Sequence, residues 1–239
     1  MLRFKSSKSL LAQQMKYQAN DKIGQLKLSI ALNLIPGLPP IQKVDYQLIV
    51  MDPPWSYSLR ETDATHRGRC PYPSMSDEEI LNLPIGAIAH QNSYLLLWVT
   101  NNHLPLGFRC LERWGFTYKS IFTWVKVTKS SAIDFESPIV QECFNSGIMP
   151  TINVGLGHYG RNCTEHFLVA TKGKPGTFTS HGLTNIPNTI FASRSRHSEK
   201  PLEFWTVAYR LAEKLGGSRI ELFARSKREG WDSWGAEVS

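Results

Sequence analysis

Apolar residues in this chain fall in short, separated runs whose period changes from place to place. Tyr46–Met51 and residues 92–100 are nearly continuous stretches of Leu, Ile, Val, Tyr and Trp. Runs of that length without polar alternation suit strands buried on both faces of a sheet. Thr117–Val127 sets Phe122, Trp124 and Val127 among polar residues, and 166–172, 189–192 and 218–224 read as further strands. Between them, 103–114 and 202–215 carry apolar residues at helical spacing, stopped by Gly115 and by Gly216-Gly217, as C-terminal glycines stop helices. Ser76-Asp77-Glu78-Glu79 has the spacing of a capping box, and Pro201 sits at a helix start. Strands alternating with helices predict one α/β domain built on a mostly parallel sheet.

Two regions break the pattern. Residues 1–33 are polar and basic, with Lys5, Lys8, Lys16, Lys22 and Lys27 against Asp21, and Leu10, Leu11, Met15, Ile23, Leu26 and Ile30 at roughly helical spacing. That describes an arm of amphipathic helix, packed on the body or laid on nucleic acid. Pro36-Gly37-Leu38-Pro39-Pro40 separates it from the rest, so 1–44 is read as the arm and 45–239 as the domain. Residues 128–157 hold no period for long and read as an insertion, the kind of irregular segment that carries function or is disordered.

The first strand ends abruptly at Asp52-Pro53-Pro54-Trp55. Neither proline can donate a ladder hydrogen bond, and Pro53 biases Asp52 away from helix. A carboxylate, a rigid turn and a flat ring therefore stand at the carboxyl end of a strand, where open α/β sheets place ligands.

Composition adjusts this picture only slightly. A formal net charge of +7 over 239 residues favours an anionic partner such as nucleic acid. Cys70, Cys110, Cys143 and Cys163 form no CxxC pair, and the histidines show no metal-ligand spacing. Neither a metal site nor a disulfide framework is therefore expected. No apolar stretch has the length of a signal peptide or a membrane span, so a cytoplasmic protein is expected.

Several blocks in one order then give the chain a likeness. Over roughly 45–238 it resembles the MT-A70 family of adenine N6-methyltransferases. The blocks are Asp52-Pro53-Pro54-Trp55, Pro71-Tyr72-Pro73-Ser74-Met75-Ser76, Leu95-Leu96-Leu97-Trp98-Val99-Thr100 and Phe122-Thr123-Trp124-Val125-Lys126. They continue with Gly160-Arg161-Asn162 and Glu165-His166, His197-Ser198-Glu199-Lys200-Pro201, and Ile220 to Arg225 followed by Gly230-Trp231 and Trp234-Gly235. The resemblance implies a Rossmann-like class I methyltransferase fold with permuted motif order, the catalytic strand early and the donor strand late. It implies S-adenosylmethionine as methyl donor and no metal, with DNA as substrate. RNA, or a catalytically silent nucleic-acid-binding subunit, is the alternative. Compact members of this kind resemble prokaryotic or phage enzymes of restriction defence or self-protection, and family members pair, so a homodimer is conceivable.

Residue roles follow from the resemblance and from amine chemistry together. The exocyclic amine of adenine is a poor nucleophile because its lone pair is delocalised into the ring. A carboxylate accepting one N–H and a fixed carbonyl accepting the other pull nitrogen toward tetrahedral geometry and oppose its developing charge. Asp52 and the Pro53 carbonyl take those roles, Pro54 stiffens the turn, and Trp55 offers a face to an extruded base. Asp52, Pro54, Lys200, Arg225 and Glu237 match donor-side positions, although the family's usual Asn before Glu237 is Ala236 here. Tyr72 matches a pocket-lining Tyr. Arg161 and Asn162 fit a segment beside the pocket, and Glu165 and His166 serve there either as ligands or as strand-edge structure. Arg60, Arg67, Arg69, Lys227 and Arg228 are expected to touch nucleic acid.

Overall fold

The computed structural model of the protein describes residues 45–56, 74–128, 152–153, 159–194 and 199–238. The N-terminal arm, the 57–73 loop with Arg60, Arg67, Arg69 and Tyr72, and nearly all of the 128–157 insertion lie outside the described residues. In chain order the elements are β1 (Tyr46–Met51), α1 (Asp77–Leu81), α2 (Ile85–Ile88), β2 (Ala89–Val99), α3 (Leu104–Arg113), β3 (Thr117–Val127) and β4 (Thr164–Lys172). They continue with β5 (Thr189–Ser193), α4 (Leu202–Leu215), β6 (Arg219–Leu222) and β7 (Asp232–Trp234). Among the described residues the strands form one sheet in the order β5-β3-β4-β2-β1-β6-β7. No helix among them is long and apolar enough to cross a membrane.

Helix ends follow the local chemistry. The Ser76 hydroxyl accepts the Glu79 N–H at 3.3 Å while Glu79 Oε2 accepts the Ser76 N–H at 2.7 Å, so the capping box forms and starts α1. Beyond α3, Gly115 has φ 77 and donates to the Glu112 carbonyl, and Phe116 donates to that of Leu111. These are the two bonds of a Schellman stop.

Central strands bury both faces, which is why they read as unbroken apolar runs. Ile49, Met51, Leu95 and Leu97 pack toward Ile80, Ile85, Cys110 and Leu111 on one side. Leu48, Val50, Leu96 and Trp98 pack toward Phe204, Trp205, Ala208 and Leu211 of α4 on the other. The β2 strand begins at Ala89, earlier than the apolar run. Its pairing with β1 slips between Tyr46 and Leu48, and His90 Nδ1 takes the Asn92 N–H at 3.0 Å beside the slip.

The sheet is mixed. Its neighbours are parallel except where β4 meets β2 and β3, to both of which it is antiparallel. Because β4 pairs antiparallel with β3, it enters from the end of the sheet at which β3 left. This strand order has a consequence for ligands. From β1 the chain moves to β2 on one side, whereas β6, reached through α4, lies on the other. The strand order thus reverses between β1 and β6, and beyond the carboxyl ends at such a reversal is where open α/β sheets form a ligand crevice.

Candidate active site

Asp52 is the first residue beyond β1 at that reversal. The turn after it is closed by its own backbone: the Trp55 N–H donates to the Pro53 carbonyl at 2.8 Å and the Met75 N–H to the Pro54 carbonyl at 2.9 Å. A carbonyl oxygen has two lone pairs, and among the described residues the Trp55 N–H is the backbone donor to Pro53. Trp55 is 4% exposed, its indole N–H donates to the Trp98 carbonyl at 3.1 Å, and the His103 ring covers one face at 5.3 Å between centroids. A ring held in this way is part of the wall, and one of its faces is taken by His103.

Three charged side chains join Asp52 in a row. Lys200, just ahead of α4, places Nζ 2.9 Å from Asp52 Oδ2 and 3.0 Å from Oε2 of Glu165 at the start of β4. Oε1 of Glu165 lies 2.6 Å from Nζ of Lys126, near the end of β3. The Lys200 ammonium also stands 4.6 Å over the Trp98 ring, a cation–π placement. Two cations thus balance two anions in a row, with Lys200 at 11% side-chain exposure and Asp52 at 31%. Charges this enclosed survive only when paired, because desolvation is costly.

The row sets the protonation of its members. Burial by itself pushes the Glu165 carboxyl up, but Lys200 and Lys126 outweigh it and hold the group at about 2. Burial pushes the Lys200 ammonium down, yet Asp52 and Glu165 together raise it above its ordinary value. Asp52 goes the other way. Burial is the largest influence and raises it, Lys200 offsets part of that, and the neighbouring Glu165 charge adds to the rise. Asp52 is therefore the carboxylate of the row that takes up a proton more readily.

Across the crevice, β6 stops at Leu222, before the end of its apolar run, because Phe223 adopts a left-handed φ of 61. Such a conformation in a bulky residue stores strain and concentrates at functional turns. The Ala224 N–H then donates to the Trp234 carbonyl at 2.9 Å. A Cβ on Gly235 would collide with the Ala224 carbonyl oxygen and lie 2.8 Å from its nitrogen, so glycine is what lets β6 and β7 close here. Arg225 Nε and Glu237 Oε1 face each other at 3.7 Å with 33% and 55% of their side chains exposed, a loose pair open to polar ligands. The Arg225 charge also acts to lower the Asp52 carboxyl, the weakest of the influences on it.

The other expected contacts divide. Arg161 and Asn162 are exposed just ahead of β4, and Asn162 Oδ1 lies 3.5 Å from Asn101 Nδ2. His166 is a strut, bonded through Nδ1 to Thr123 Oγ1 at 3.0 Å and through Nε2 to Asn101 Oδ1 at 2.8 Å. Lys227 is exposed. Arg228 is not placed for nucleic acid. Its Nε lies 2.9 Å from Glu221 Oε2 and its guanidinium 3.6 Å over the Trp205 ring, joining β6 to α4. Arg228→Ala should therefore lower stability by about 2 kcal/mol, a Tm drop of about 4–8 °C. Nucleic-acid affinity and its salt dependence should stay as they were; a reduced salt slope in a binding titration would contradict this placement.

Lys126 was visible in the sequence only as the last residue of the Phe122–Lys126 block, and Glu165 was expected as ligand or as strand-edge structure, so its pairing with Lys126 and Lys200 is new. Asn101 and His103 gave no signal beyond following the β2 run.

The reversed strand β4, the strand order around β1 and the acid at its end are those of a Rossmann-like methyltransferase. More narrowly, the chain belongs to the MT-A70 family, whose sequence model matches residues 46–237. It is 27% identical over 217 residues to the Type II methyltransferase M.MunI of a Mycoplasma species, covering 84% of this chain and 81% of that protein. It is 29% identical over 182 residues to the N(6)-adenosine-methyltransferase catalytic subunit METTL3 of Homo sapiens, covering 75% of this chain but 26% of that one. An MT-A70-like protein of Medicago truncatula matches similarly, at 29% over 197 residues and 26% of its length.

Proposed function

We propose that the protein transfers a methyl group from S-adenosylmethionine to N6 of adenine in DNA. The observation that carries this reading is the Asp52 carboxylate, fixed by Lys200 at 2.9 Å at the reversal of strand order between β1 and β6. Adenine N6 is supported by the names of the N(6)-adenosine-methyltransferase relatives. DNA is supported by the match along most of a Type II methyltransferase.

The residues present fit such a donor. Arg225 suits its carboxylate or ribose oxygens, Glu237 its ribose hydroxyls, and both are partly exposed at the ends of β6 and β7. Lys200 is engaged by two carboxylates and by the Trp98 ring, so its part here is to fix Asp52 beside the donor site. When bound, S-adenosylmethionine supplies a sulfonium-activated, electrophilic methyl. Everything else is positioning by this chain. Asp52 accepts one N–H of the adenine amine through the oxygen that Lys200 does not hold, and the Pro53 carbonyl accepts the other. Both acceptors oppose the positive charge that grows on nitrogen. Arg161, Asn162 and Lys227, exposed at the rim, face the polymer.

Because Gly235 sets how closely the end of β6 meets β7, Gly235→Ala should push Ala224 and Arg225 outward and weaken donor binding about tenfold. Calorimetry with the donor checks it, and unchanged affinity would separate the β6 turn from the donor site. Adenine in RNA is the second reading, favoured by the word adenosine in the relatives' names. Labelled donor with matched DNA and RNA oligonucleotides separates the two. Label in DNA alone supports the proposal, and label in RNA alone replaces it.

A further inference from the structure

Directly after Trp55 the chain is gripped from outside its own turn. His103 closes the short 3-10 turn Asn101–His103 that follows β2. Its ring lies nearly parallel to the Trp55 indole, with centroids 5.3 Å apart and planes 20° off. Nε2 of that ring is 2.8 Å from the Ser56 carbonyl oxygen, and Nδ1 is 2.7 Å from Thr100 Oγ1. A carbonyl only accepts, so Nε2 carries a proton; in the neutral ring Nδ1 then accepts from the Thr100 hydroxyl. His103 is 8% exposed, and a buried ring engaged at both nitrogens and one face has little freedom.

The grip matters because the turn is mechanically short. The Pro53 carbonyl is bonded to the Trp55 N–H at 2.8 Å, so the direction of that carbonyl follows the position of Trp55. Trp55 is in turn fixed from β2 twice, by the Trp98 carbonyl on its indole N–H and by His103 on its face. We infer that His103 is a positioning residue: the Thr100–His103–Ser56 strut and its stack on Trp55 aim the Pro53 carbonyl and the Asp52 carboxylate at the adenine amine. This rests on the reading of Asp52–Trp55 as the adenine site. The strut comes from the turn after β2, whereas Arg225 and Glu237 follow β6 and β7, so its effect is expected on the acceptor half.

The test compares His103→Ala, His103→Gln and Thr100→Val with the intact chain. It measures kcat on an adenine oligonucleotide, donor Kd by calorimetry, and hydrogen exchange at the Trp55 and Met75 amides. His103→Ala should lose about 10²-fold in kcat, the cost of misplacing reacting groups by about an ångström, with donor Kd unchanged and both amides exchanging faster. His103→Gln keeps an N–H that can reach Ser56 and should recover at least about tenfold of that loss. Thr100→Val should fall between the two. Wild-type kcat in His103→Ala, or amides as protected as in the intact chain, overturns the inference. So does donor affinity lost in step with kcat, because that reports general damage to the fold. If the intact chain methylates no adenine, the reading of the site fails instead, and the exchange data alone decide whether the strut exists.

Discussion

Asp52→Asn should lower kcat for methyl transfer by about 10³-fold, the scale of removing one preorganised electrostatic contact in an enclosed site, with donor affinity retained. The substitution keeps shape and leaves an amide oxygen that still accepts a hydrogen bond. What it removes is the negative charge facing a nitrogen that turns positive as the methyl arrives. Lys200 keeps Glu165 as a partner at 3.0 Å, so the row is shortened and not dismantled, and the folded state should persist. Loss of activity with intact donor binding separates the acceptor half of the crevice from the half around Arg225 and Glu237. Single-turnover kinetics with labelled donor, alongside calorimetry, make the comparison. Activity within a few-fold of wild type would mean that the charge on Asp52 does not act on the reacting nitrogen.

The second large effect is electrostatic and has a sign. Lys200→Met removes the cation between two carboxylates and leaves them facing each other in a largely enclosed site. Breaking such a pair costs about 3–5 kcal/mol of stability. Lys200 normally lowers the Asp52 carboxyl against the burial that raises it. Without it the Asp52 pKa climbs further, and the acidic limb of the pH–rate profile should move to higher pH. Glu165→Gln predicts the reverse. The Glu165 charge pushes Asp52 up, so its removal should move the acidic limb to lower pH. A common shift of both variants in one direction would contradict the row as drawn.

Acid stability follows from the same groups. Glu165 is held at about 2, below its ordinary 4.5, so its contribution is complete above 4.5 and is lost as pH falls through about 2.

How far this site was legible in the sequence can be judged residue by residue. The strand ending at Asp52 was plain because prolines cannot continue a ladder, and its apolar run declared a strand buried on two faces. The helix stops at Gly115 and Gly216 and the capping box at Ser76 were local chemistry and are found where the local pattern put them. The reversal of β4 was not legible, since an apolar run looks the same in either direction. Nor was the row Asp52–Lys200–Glu165–Lys126, whose members come from four elements and meet only through the strand order. The surroundings of Trp55 were hidden for a physical reason: an aromatic beside an acid looks identical in sequence whether or not a neighbour such as His103 takes one of its faces. Those of Arg228 were hidden likewise, because a basic residue in a basic tail gives no hint of Glu221 and Trp205 beside it. Phe223 was hidden most completely, since a left-handed turn usually announces itself through glycine.

The most direct test of the account is the chemical identity of the product. The protein is incubated with donor and DNA oligonucleotides, the DNA is digested to nucleosides, and the modified base is identified by mass spectrometry, with Asp52→Ala in parallel. N6-methyldeoxyadenosine from the intact chain and none from the variant is the predicted result. A methyl group on cytosine, or equal methylation by the Asp52→Ala variant, would contradict it.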